Sequence, residues 1–66
     1  MNTLLQLRNA TLAARQRTGD AHIGTRVEAG RVQVVRAVPS ARGQFDVTPL
    51  TGWLTAQEAL NVVRAI

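Results

Sequence analysis

The chain contains no cysteine, and in a protein of 66 residues this limits how the fold can be stabilised. A domain of this length buries roughly 60% of the surface that its unfolded chain exposes, and its core rarely supplies more than about 3–5 kcal/mol. Disulfides and thiolate zinc sites are excluded, and the single histidine, His22, cannot build a histidine-rich metal site. We therefore expect the chain to gain apolar burial by self-association, as a homo-oligomer, or on a binding partner.

The hydrophobic pattern predicts one α+β domain over residues 1–66, with its elements in the order α-β-β-β-α. Thr3–Arg17 contains no Gly or Pro and is rich in leucine and alanine, which indicates a helix. Near period-two alternation between turn residues then predicts three strands, at His22–Glu28, Arg31–Val38 and Gln44–Leu50. The expected fold is a three-stranded antiparallel sheet packed by an N-terminal and a C-terminal helix.

Local motifs indicate where some elements begin and end. Ala29-Gly30 is a short connection with a glycine available for positive φ, which favours a hairpin. Adjacent valines at 34 and 35 interrupt the alternation and predict either a bulge or a strand covered on both faces. Thr55 and Glu58 match a capping box that starts the last helix. We expect Trp53 to anchor that helix in the core, with a ligand role as the alternative.

All eight basic residues are arginines, opposed by four acids, so the formal net charge is +4. A GC-rich genome would explain arginine in place of lysine, but the surplus of base over acid favours an anionic partner. If the helices cover one face of the sheet, the other face and its adjoining turn present a candidate anion-binding set. This set comprises Arg26, Arg31, Arg42, Gln33 and His22. The alternative is that these arginines only make the surface soluble, and His22 is then an ordinary strand residue.

The first helix offers a second candidate site. Leu4, Leu7 and Leu12 share one half of its surface, and Arg8 and Arg15 project from the same half. A charge inside an apolar stripe extends outward to water, pairs with an acid or meets a partner. We therefore treat Arg8, Leu12 and Arg15 as a candidate protein interface, with outward extension of the arginines as the alternative.

Catalysis is not expected, because the chain has no lysine, tyrosine or cysteine and its four acids are scattered over separate elements. We predict no catalytic residues, no metal and no cofactor. No signal-peptide pattern and no apolar run of about 20 residues is present, so we expect a cytoplasmic protein without membrane contact. The leading hypothesis is a non-enzymatic module that holds nucleic acid or a phosphate-bearing nucleotide. The alternative is a small phage-type or mobile-element-type protein that inhibits or regulates a host protein through its first helix.

Overall fold

The computed structural model describes residues 2–66 and confirms the α+β prediction. Its elements, in chain order, are α1 (Thr3–Thr18), β1 (Ile23–Glu28), β2 (Arg31–Pro39), β3 (Phe45–Pro49) and α2 (Ala56–Ala65). The three strands form one antiparallel sheet in the order β1-β2-β3, and each predicted strand boundary is within one residue of the observed one. Within residues 2–66, neither helix has the length and apolar character needed to cross a membrane.

Both helices begin at capped N-termini. Asn2 accepts hydrogen bonds on its side-chain oxygen from the Leu4 and Leu5 amides, at 3.0 and 3.3 Å. The predicted capping box of α2 is present: the Glu58 amide donates to the Thr55 hydroxyl at 3.1 Å, and the Thr55 amide donates to the Glu58 carboxylate at 3.0 Å. Because that amide favours the ionised carboxylate, the pKa of Glu58 lies below its ordinary value.

The hairpin between β1 and β2 fixes which residues share a face of the sheet. Ala29 and Gly30 both have positive φ, 51° and 76°, as a tight two-residue turn requires. Paired residues of antiparallel strands point to the same side, so the register defines two faces. We call one the inner face, with Ile23, Thr25, Val27, Val32 and Val34. We call the other the outer face, with Gly24, Arg26, Gln33, Val35, Ala37, Phe45 and Val47.

The core lies between the two helices and the inner face. It consists of Leu7, Ala14, Val32, Val34, Ala59, Leu60 and Val63. Residues 32–35 are all buried and the ladders on both sides of β2 run without interruption, so β2 is covered on both faces and contains no bulge. The chain after β3 continues along β2, where Leu54 and Val32 exchange main-chain hydrogen bonds of 2.7 and 2.8 Å.

Helix α1 buries a narrower stripe than its sequence suggests. Leu7, Thr11 and Ala14 are buried, whereas Leu4 and Leu12 are about half exposed. Leu7 and Ala14 pack in the same core as α2, so only part of the predicted apolar half of α1 is buried. The rest of that half, which carries Leu4 and Leu12, forms an open side of the helix. Arg17 holds the end of α2, donating to the main-chain oxygens of Ile66 and Val63 at 2.8 and 3.1 Å.

Candidate functional site

A groove of about 580 Å³ runs between the open side of α1 and strand β1. Its wall on α1 is formed by Leu4, Leu7, Arg8, Thr11, Leu12 and Arg15. Its opposite wall takes four consecutive residues of β1, 24–27, and continues over the outer face to Val35, Ala37 and Val47. Consecutive strand residues point alternately to the two faces, so a groove lined by all four follows the edge of the strand.

This edge of β1 carries main-chain groups that face away from the sheet. Antiparallel pairs alternate between those that exchange hydrogen bonds and those that do not. The Ala37 amide donates to the His22 carbonyl at 2.9 Å, so the pairs formed by Gly24, Arg26 and Glu28 are the bonded ones. The amides and carbonyls of Ile23, Thr25 and Val27 therefore point outward. One of these outward groups, the Ile23 carbonyl, already accepts a hydrogen bond of 2.6 Å from the Arg15 Nε.

The groove is strongly cationic. Arg8 and Arg15 reach it from α1 and Arg26 from β1, and none of its lining residues, all within the described 2–66, is acidic. The Arg26 guanidinium carbon lies 5.7 Å from the centroid of the Trp53 ring, so a cation–π contact supports Arg26 at the margin. Trp53 itself is 38% exposed and lies outside the core cluster, so its predicted role as a core anchor was wrong.

Three residues of the set predicted as an anion site on the sheet lie on its outer face, where Arg26 pairs with Gln33 and Arg31 belongs to the next pair on that face. Arg26 lies in the groove, whereas Arg31 is paired with Glu28 across the hairpin and lines a second pocket with Glu28 and Trp53. The Thr55 amide is the main cause of the lowered pKa of Glu58, and Arg31 adds a smaller contribution. Arg42 is in the turn after β2 and is not a lining residue.

Two further residues of that predicted set have local roles. Gln33 is only 8% exposed, and its amide nitrogen donates to the Thr51 carbonyl at 3.1 Å. His22 is half-buried just before β1, and its main-chain amide donates to the Asp20 carboxylate at 2.9 Å. The predicted helix set, Arg8, Leu12 and Arg15, does share one surface, and it is the surface that also includes Arg26.

An ion pair not predicted from the sequence accounts for another arginine. The Arg36 Nε lies 2.9 Å from the Asp20 carboxylate. The His22 amide and, to a smaller extent, Arg36 lower the pKa of Asp20. The sequence gives little indication of this ion pair, because Asp20 and Arg36 are 16 positions apart. They are brought together only by the pairing of Ile23 with Arg36. Arg17 and Arg36 thus have hydrogen-bonding partners within the protein, whereas Arg8 and Arg26 line the groove, Arg26 with its guanidinium over the Trp53 ring.

In the described part of the chain, no three His, Asp or Glu side chains lie together in a group that could hold a metal ion. Comparison of the chain with protein-family models, with curated proteins and with solved structures finds no significant match. The functional argument therefore depends on the chemistry of the groove.

Proposed function

We propose that this protein is a non-enzymatic binding module that holds an anionic partner in the groove between α1 and β1. The observation that supports it is the meeting of Arg8, Arg15 and Arg26 in one groove without an acid among the lining residues. A guanidinium offers five donors in a planar fork and binds carboxylate or phosphate through two of them.

The electrostatics of the groove favour a partner of opposite charge. Cations that converge without acids between them repel one another, and an anion placed among them would remove that repulsion. The apolar side chains Leu4, Leu12 and Val47 lie beside the arginines, so a ligand here would also bury apolar surface. A site of this kind joins Arg26 of the predicted sheet set to Arg8, Leu12 and Arg15 of the predicted helix set.

The proposal can be tested with three labelled anions: a single-stranded oligonucleotide, ATP and an acidic peptide. Arg8→Ala and Arg26→Ala each remove one groove cation, whereas Arg64→Ala removes an exposed cation of α2 that is not among the lining residues. Arg15 is a poor choice for this comparison because it also binds the Ile23 carbonyl. Hydrogen bonds to charged groups contribute about 1.5–3 kcal/mol, so each groove substitution should weaken binding about tenfold or more.

The expected result is that at least one of the three anions binds wild-type protein and Arg64→Ala equally, and both groove variants at least about tenfold more weakly. Its affinity should also fall as salt is raised, because salt screens exposed charges. Two results would contradict the proposal: no binding of any probe, or an equal loss of affinity in Arg64→Ala and the groove variants.

A further inference from the structure

We propose that the anionic partner is an extended acidic peptide segment of another protein, which adds to the sheet as a fourth strand beside β1. This inference rests on the proposed function, since it assigns a partner class to the same groove. Three features support it: the open strand edge, the charge of the groove, and the kind of side chains that line it.

The open edge offers the hydrogen bonds that a peptide main chain needs. The amides and carbonyls of Thr25 and Val27 point away from β2, and residues 24–27 all line the groove. An unpaired strand edge of this kind is a template for another strand. Arg15 marks one limit of the accessible edge, because it already occupies the Ile23 carbonyl. The added strand would therefore pair with residues 25–27 and be short.

The side chains in the groove match a strand with alternating acidic and apolar residues. Successive residues of a strand point to opposite sides, so one set of the added strand can be acidic and the other apolar. Arg26 lies on the outer face and would meet the carboxylates, and Arg8 reaches the same groove from the other wall. Leu4 and Leu12 of α1, which packs on the inner face, would cover the apolar side chains on the other side of the strand. Gly24 has no side chain, and both it and its pairing partner Val35 line the groove.

Two other occupants fit less well. Single-stranded nucleic acid is normally held by aromatic side chains that stack on bases, and neither Phe45 nor Trp53 is among the groove residues. A second copy of this chain would add a strand that carries Arg26, from a protein with a net charge of +4, and would set arginine against arginine. An acidic peptide uses both the cations and the free main-chain groups.

The test uses a labelled, capped peptide of alternating glutamate and valine and two N-methylated forms of it. One form is methylated on every valine nitrogen and the other on every glutamate nitrogen. In a strand, alternate residues direct their amides to opposite edges, so only one set can bond to β1. We expect one methylated form to bind at least about tenfold more weakly than the parent peptide and the other to bind nearly as well.

A protein variant gives an independent readout. Val27→Pro removes an amide that faces away from β2, and proline is tolerated on an edge strand with that orientation. It should keep the far-ultraviolet circular dichroism of the wild type and bind the parent peptide at least about tenfold more weakly. If Val27→Pro unfolds, the comparison of the two methylated peptides still decides the question.

The outcomes separate this inference from the proposed function. Equal affinity of both methylated peptides, or equal loss in both, would overturn the added strand while leaving an anion-binding groove intact. The same conclusion would follow if the peptide did not bind and an oligonucleotide with the same number of charges did. That binding would have to be weakened by Arg8→Ala and Arg26→Ala. Absence of binding by peptide, oligonucleotide and ATP alike would overturn both proposals.

Discussion

Replacing Gly24 with alanine should stabilise the fold, because Gly24 lies inside β1 with an ordinary strand backbone. A glycine inside a strand costs about 0.5–1 kcal/mol relative to alanine, through the entropy of the unfolded chain. The added Cβ would lie 3.8 Å from an Nη atom of Arg15, an ordinary van der Waals contact. Such a contact contributes only about 0.1–0.2 kcal/mol, so the entropy decides the sign.

The magnitude is measurable by thermal unfolding. One kcal/mol shifts the Tm of a domain of this size by about 4–8 °C, so Gly24→Ala should raise the Tm by about 2–8 °C. Gly52→Ala is the matched control: Gly52 also has no positive φ and has open space at its Cβ position, but it lies in the loop before α2. Both variants should be stabilised to a similar degree, as followed by circular dichroism.

Binding separates the two glycine variants. Because Gly24 lines the groove and Gly52 does not, only substitution at residue 24 should weaken binding of the acidic peptide. Gly24→Val should weaken it further, since its larger side chain projects over the outer face towards the groove. A fall in the Tm of Gly24→Ala, or unchanged peptide affinity in Gly24→Val, would refute the reasoning about residue 24.

Three further predictions concern stability and association. Leu60 is fully buried in the core, so Leu60→Ala should cost about 2–5 kcal/mol in a urea titration, and a wild-type midpoint would contradict the assigned core. Hydrogen bonding by Thr55 lowers the pKa of Glu58 below 4.5, so this carboxylate stabilises the fold above pH 4.5 and loses that effect as the pH falls through its lowered pKa. The Tm of the wild type should therefore fall more steeply with acid than that of Glu58→Gln, and parallel curves would contradict the capping role. Phe45 is 61% exposed, and self-association would bury it, so we expect a solution mass of at least twice 7.1 kDa at micromolar concentration and a lower mass for Phe45→Ser. A strictly monomeric wild type would contradict self-association.

The parts of the fold that depend on local sequence were predictable. The capping box needs only Thr55 and Glu58 at a spacing of three, and the hairpin needs only Ala29 and Gly30 between alternating strands. These features follow from hydrogen bonds and backbone angles within a few residues. They locate the start of α2 and the turn between β1 and β2 without any knowledge of the packing.

The candidate site depends on packing and was only partly predictable. Arg8, Arg15 and Arg26 were each singled out, but their meeting in one groove requires α1 to lie along the open edge of β1. Gln33 was expected to face a ligand because alternation places it on the outer face. The segment after β3 instead returns along β2, and the Gln33 side-chain amide donates a hydrogen bond to the Thr51 carbonyl. Periodicity identifies the face of a side chain but not what covers that face.

The most direct test of the central claim is a nuclear magnetic resonance titration of the isotope-labelled protein with the alternating glutamate–valine peptide. The account predicts that amide shifts concentrate in residues 24–27 and along the groove side of α1, near Arg8 and Leu12. It also predicts that the Thr25 and Val27 amides become protected from hydrogen exchange, since they face the added strand. Shifts confined to the hairpin and turn around Arg31 and Arg42, with 24–27 unchanged, would contradict it.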